Sequence, residues 1–388
     1  MSGIPATRYG ERLAAARGEA AAAGLDALLI GVGADLRYLT GYEAMPLERL
    51  TMLLVPAADA APLTLIAPRL EAAPARLCAA AASGAVEVVT WEETDDPMRL
   101  VAARLGDALG RDAADLRAVA VNDTLRASFV LGLQRVLPGA AFVLASGVLR
   151  RLRMTKDADE VALLRAAAHA ADRVVLAIAA GPLVGRTEAD VAREIRDRLL
   201  AEGHEHAEFW IVASGPNSAS PHHDPGERVI SAGEPIVIDI GGTVGGYGSD
   251  ITRTVWVSGG DAENGPDADF RRLYDVLQRA QAEATAAVRP GIACEGIDGV
   301  ARGIITDAGF GPSFFHRTGH GIGLEGHEEP YIVAGNSEPI APGYAFSVEP
   351  GIYLEGRYGA RIEDIVVCGD TGPDALNEAT RDLLVVAG

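Results

Sequence analysis

Cysteine is scarce in this 388-residue chain: Cys78, Cys294 and Cys368 stand far apart, too scattered for a paired-thiolate zinc motif or a disulfide framework. They read as small buried apolar residues. Long apolar runs are missing as well, none approaching the ~18 residues that a membrane-crossing helix needs. The first thirty residues carry Arg8, Glu11, Arg12, Arg17, Glu19 and Asp26 where a secretory leader would be basic and then apolar. A cytoplasmic protein with no membrane partner is expected. Basic side chains are outnumbered, 34 against 54 acidic, and the formal charge of -20 repels nucleic-acid phosphates and anionic lipid. Nucleic acid is therefore excluded as an expected partner. There is no fixed-period repeat.

What is present is apolar content for two or three packed domains, 48% of the residues. From residue 8 to about 150, alanine-rich amphipathic stretches such as Arg8 to Ala23 alternate with short apolar runs such as Leu25 to Gly31. That alternation predicts an α/β domain over 1–150. Further strands are expected at Met52 to Val55, Leu63 to Ala67, Val86 to Thr90 and Val119 to Val121. A cationic stretch, Arg150, Arg151, Arg153 and Lys156, marks the boundary and precedes a helix that Thr155 could cap. Beyond it, residues 151–388 read as α+β. Helices are expected near Thr187 to Glu202 and Asp267 to Val288, amid glycine-punctuated short strands.

The chemistry gathers in the second half. Ile236 to Ile240 is an apolar strand with Asp239 inside it, and a buried carboxylate is costly unless paired or bound to metal. Glycine-rich residues 241–248 turn the chain into a second strand that carries Asp250, with Thr252, Thr254 and Trp256 alternating after it. Phe346 to Tyr353 and Arg361 to Val367 repeat the placement, with Glu349 and Glu363 set in apolar surroundings. Any one acid alone reads as a structural ion pair. Four together repel one another unless cations lie between them, and His320, flanked by Gly319 and Gly321, adds an imidazole. Oxygen-rich ligation with one nitrogen suits Mn²⁺, Co²⁺ or Zn²⁺.

His222 follows Ser214 to Asn217 in a loop, His327 lies seven residues after His320 and Arg361 two before Glu363; the histidines read as proton-transfer candidates or satisfied loop residues, and Arg361 alone as a salt-bridge partner. His204 and His206 alternate like strand ligands but are weak metal candidates, and His169 sits in a helix without other candidate ligands.

The chain resembles the pita-bread metallopeptidases, the family of prolidase, aminopeptidase P, methionine aminopeptidase and creatinase. The resemblance rests on the Asp239–Asp250 hairpin, the run from His316 to Gly321, the Glu349, Pro350, Gly351 turn, and the run from Arg361 to Asp364. Tyr38 to Tyr42 matches a creatinase-type amino-terminal domain. The resemblance implies a dinuclear centre: Asp250 and Glu363 shared by two divalent ions, Asp239 on one, His320 and Glu349 on the other. It implies catalytic roles for His222, His327, Glu349 and Arg361, and substrate contacts from His222, His316, His327 and Tyr38. The expected activity is cleavage between an amino-terminal residue and proline, in dipeptides or, alternatively, longer peptides. The resemblance also implies Mn²⁺ as the ion and a homodimer in which Asp35, Tyr38 or Tyr42 contributes to a neighbour's site.

Overall fold

The computed structural model describes residues 3–388, which form two compact units dividing between Arg153 and Met154. A helix, Ser146–Met154, runs through the expected boundary. The cationic stretch thus belongs largely to the last turns of that helix, where basic side chains complement the carbonyl end.

The first unit is built on a six-stranded sheet of β1 (Ala27–Gly31), β2 (Met52–Pro56), β3 (Thr64–Pro68), β4 (Glu87–Trp91), β5 (Ala118–Val121) and β6 (Ala141–Leu144), in the order β4-β3-β2-β1-β5-β6. Every residue of β1, β2 and β3 is buried, because elements cover both faces; such strands read as unbroken apolar runs. Helices Pro97–Leu109 and Ala127–Val136 place Val101, Leu105 and Leu133 against Leu29, Leu54 and Val119. No charge is buried in those three strands.

In the second unit, two helix pairs each cover a sheet. Ala158–Ala179 and Glu188–Ala201 pack on β7 (His206–Ser214), β8 (Glu234–Val244), β9 (Tyr247–Gly248) and β10 (Ile251–Val257). Ala268–Ala287 and Cys294–Asp307 pack against the core behind β11 (Gly319–Gly321), β12 (Glu328–Ile332), β13 (Ala345–Val348), β14 (Gly351–Leu354), β15 (Tyr358–Arg361) and β16 (Asp364–Cys368). β17 (Pro373–Ala375) extends the second sheet beside β16, and β18 (Leu384–Val386) runs parallel to β10 in the first.

Two local expectations change. Asp157, not Thr155, caps Ala158–Ala179, closing a reciprocal box with Glu160, while Thr155 pairs with Tyr344. The helix Cys294–Asp307 was not anticipated. Gly296, Gly299 and Gly303 mask its pattern, and burial of Ile297, Ala301 and Ile305 offsets their poor propensity.

Candidate metal centre

The side-chain alternation of β8 sets up the site. Ile236, Ile238 and Ile240 face the helix-packed core, so Asp239 projects from the opposite face. The hairpin register puts Thr252 of β10 opposite Asp239. Thr252 also bridges to Glu363, joining the two sheets, and its hydroxyl donates to Glu363 Oε2 at 2.7 Å. The other acids stand at strand junctions rather than inside strands. Asp250 immediately precedes β10, Glu349 lies between β13 and β14, and Glu363 between β15 and β16. The expected single strands over 346–353 and 361–367 are therefore broken at the acids, where the chain is free to turn a carboxylate inward. His320 is the central residue of β11. A Cβ at Gly319 would overlap the Ser347 carbonyl and one at Gly321 the Glu329 carbonyl, so glycine lets the backbones close around the imidazole.

Three groups of donor atoms result, each within 4.8 Å: Asp239, Asp250 and Glu363; His320, Glu349 and Glu363; and Asp250, His320 and His327. His320 Nε2 lies 3.6 Å from Asp250 Oδ2 and 3.3 Å from Glu349 Oε1. His320 Nδ1 is 3.1 Å from the Gly321 carbonyl, which only accepts, so Nδ1 carries the proton. Burial, then the neighbouring His327, pushes the His320 pKa down to about 3. The imidazole is thus neutral, with the Nε2 lone pair turned toward carboxylate oxygens.

The acids show the same unmet demand. Burial and mutual repulsion raise Asp250 and Glu363 well above the carboxylate range, and burial takes Glu349 to about 7. Asp239 Oδ2 accepts from Arg361 at 2.5 Å, but Asp239 Oδ1 is buried with no hydrogen-bond partner. An orphaned carboxylate oxygen, an unprotonated imidazole nitrogen and crowded acids fit a cation. The donor set, oxygens with one nitrogen, fits a divalent ion of intermediate hardness.

These side chains line a cavity of about 540 Å³, together with Phe209, Ile211, Pro221, His222, Phe315, His316, Arg317, His327 and Arg361. The sequence-predicted set therefore converges, with one exception. Tyr38 lies in the first unit, 5% exposed, its hydroxyl donating to the Leu152 carbonyl. Arg361 is fully engaged by Asp239, Tyr353, Thr252 and the Pro221 carbonyl. His316 is bonded through both ring nitrogens, to the Arg317 carbonyl and the Tyr353 hydroxyl, and burial lowers its pKa to about 4. His327 stacks 3.8 Å from His320, ring centre to ring centre. Its Nδ1 faces Arg317 Nη2, a pure donor, which leaves the proton on Nε2. His204 instead bonds Leu199 and Ser249.

Sequence reading missed what holds His222. Its loop is tied to Glu188, a fully buried carboxylate that accepts from Ser214 N and Oγ, Asn217 Nδ2 and His223 Nε2. Despite burial, these bonds hold the Glu188 pKa below its usual value. Its partners lie 26 or more residues away, so no local pattern betrays the role. Thr252 and Tyr353, which orient Glu363 and Arg361, were likewise not assigned a role.

A two-unit chain whose second unit surrounds clustered carboxylates and a neutral histidine with two helix-covered sheets is, by fold and site, a metal-dependent hydrolase of the pita-bread class. The chain belongs to metallopeptidase family M24, whose model matches residues 162–370, and residues 12–155 match the creatinase/prolidase N-terminal domain. It is 48% identical to a probable dipeptidase PepE of Mycobacterium bovis, over 97% of this chain and 96% of that one. It is 35% identical to an Xaa-Pro dipeptidase of Lactobacillus helveticus, covering 90% and 92%. The crystal structure of dipeptidase PepE from Mycobacterium ulcerans superposes with a TM-score of 0.90 at 46% identity, covering 99% of each chain.

Proposed function

We propose that this chain cleaves dipeptides between an amino-terminal residue and proline, using two divalent ions held by Asp239, Asp250, His320, Glu349 and Glu363. The observation that carries this is the pair of donor groups sharing Glu363, with the Asp239 Oδ1 orphan among them. Asp250 and Glu363 would serve both ions, Asp239 one, His320 and Glu349 the other. Bound there, such ions polarise a carbonyl and acidify water.

The remaining work falls to the chain's own groups. Ser347 Oγ, 3.2 Å from Glu349 Oε1, fixes the carboxyl that would carry a proton toward the leaving nitrogen. His327, with its proton on Nε2, and His222 donate to the developing oxyanion. Arg361 orients Asp239, and His316 with Tyr353 holds the adjoining wall. Proline offers no N–H to recognise once it is in a peptide bond, so Phe209, Ile211, Pro221 and Phe315 read its ring by shape. Dipeptidase naming among relatives supports the short substrate. Tyr38 is not carried forward as a substrate contact, because its ring is buried and its hydroxyl already used.

Manganese as the ion, a homodimer and the cytoplasm complete the proposal. Hard oxygen donors favour the first. Three cysteines, none in a disulfide, and the lack of any described helix long and apolar enough to cross a membrane agree with the last. The test is hydrolysis of Ala-Pro and Ala-Pro-Ala by metal-stripped protein before and after Mn²⁺ is added. Metal-dependent cleavage of Ala-Pro alone is expected. Comparable tripeptide cleavage makes the enzyme an aminopeptidase, and no cleavage of either removes the peptidase reading.

A further inference from the structure

The chain holds a single lysine among its 34 basic residues, Lys156, and that lysine is buried. Its Nζ donates to Glu328 Oε1 at 2.6 Å, with the two side chains 1% and 8% exposed. A buried pair of this kind adds little stability over an apolar pair of the same shape, so its presence calls for another reason. Glu328 follows His327 directly, and successive side chains of an extended chain point to opposite sides. His327 accordingly lines the pocket while Glu328 reaches back to Lys156.

We propose that Lys156 is a positioning residue for His327, anchoring through Glu328 the strand start that sets the place of that imidazole. This rests on the reading above in which His327 donates to the oxyanion. His327 ends the loop 322–327, which has no helix or strand of its own and includes Gly323 and Gly326. The near end of the loop is tied down: Ile322 N donates to the Ala345 carbonyl at 3.2 Å, and Gly248 N to the Gly323 carbonyl at 2.9 Å. At the far end β12 begins with Glu328, set opposite Gly321 where the register of β11 and β12 shifts. Such an irregularity re-aims the side chains beside it, so the direction of His327 depends on what holds Glu328.

Lys156 can serve as the fixed point because its own backbone is held on both sides. Lys156 N donates to the Gly343 carbonyl at 2.8 Å, Thr155 bridges to Tyr344, and Asp157 caps the helix that follows. The slot suits an ammonium. A Cβ at Gly323 would stand 2.6 Å from Glu328 Oε1 and 3.1 Å from Lys156 Cε, so glycine is what lets the pair close, and the wider guanidinium used everywhere else in the chain has no room there. Arg317 Nη2, 3.2 Å from His327 Nδ1, fixes the turn of the ring from the pocket side, and Lys156 fixes its place from behind.

The experiment compares wild type with Lys156→Met and with the double variant Lys156→Met, Glu328→Gln, which leaves no lone buried charge and should fold even where the single variant does not. Loaded with Mn²⁺, both variants should keep their metal and hold KM for Ala-Pro within about twofold, while kcat drops about ten- to a hundredfold. In the Zn²⁺-loaded proteins, which are diamagnetic, histidine side-chain NMR reports the ring directly. The His327 signal, assigned among the eight histidines by its loss in His327→Ala, should shift or broaden in both variants, with those of His169 and His204 unmoved. A merely structural pair would lower the melting temperature and leave kcat and the His327 signal as in wild type, which overturns the proposal. A loss of activity that follows lost metal, or an unmoved His327 signal, overturns it as well. A wild type that cleaves no Ala-Pro overturns the peptidase reading instead, and the His327 signal still decides whether Lys156 places that ring.

Discussion

Glu363 and Asp364 are adjacent, each at most 2% exposed, yet their surroundings differ completely. Asp364 accepts from Arg253 at 2.7 Å, Gln281 at 2.8 Å and Arg381 at 2.5 Å. Glu363 has one side-chain donor, Thr252, and faces Asp250, Glu349 and Asp239. Two arginines neutralise the acid that points into the framework, while the acid that points into the pocket is left among its own kind. A fold able to compensate a buried carboxylate has withheld that compensation at four clustered positions, apart from the single arm of Arg361 on Asp239. The uncompensated charge is therefore a feature of the site and not a defect of packing.

Substituting on the two sides should give opposite results. Asp250→Asn removes one of the crowded acids and a shared donor, so the variant should bind less than a full complement of metal and lose activity on the order of 10³-fold. Its metal-free form should melt no lower than the wild type, since repulsion is relieved. Metal analysis, Ala-Pro hydrolysis and thermal melts measure all three, and a fully loaded, active Asp250→Asn protein would break the contrast. On the framework side, Arg253→Met leaves Asp364 buried with less compensation. Unfolding stability should drop by about 3–5 kcal/mol, with metal bound per folded molecule retained. A variant that keeps its stability but loses its metal would place Asp364 with the site instead.

The donors were legible because a charge in an apolar stretch is a local contradiction: Asp239 among isoleucines needs an explanation that neighbouring letters cannot supply. The strand breaks at Glu349 and Glu363 were not legible, since apolar residues flank both acids and periodicity continues across each junction. Glu188 stayed silent for another reason: its significance lies in what surrounds it, loop donors 26 to 35 residues away. Helix Cys294–Asp307 was obscured by its glycines, and only packing restores it.

The smallest effect tests the uncompensated side through protons. Burial, with Asp239 adding and Arg361 opposing, raises Glu349 from 4.5 to about 7 in the metal-free fold. A raised carboxyl binds a proton in the folded state at pH values where the unfolded chain has released it. Its stabilisation is therefore full below the unfolded pKa and is lost as pH rises through about 7. The raw stability curve of the metal-free protein mixes this with the like contribution of Asp250 and Glu363, whose carboxyls are also raised, and with the opposite contribution of His316 and His320, whose lowered pKa values add stability as pH rises toward 6.5. Subtracting the curve of Glu349→Gln removes what the two proteins share and leaves the carboxyl together with its coupling to His320, Asp250 and Glu363. Measured by denaturant unfolding in chelator, wild type minus Glu349→Gln should fall by about 2–3 kcal/mol between pH 5 and pH 8. A flat difference, or one that rises, would mean that Glu349 is already compensated as Asp364 is, and the contrast between the two sides would not extend to it.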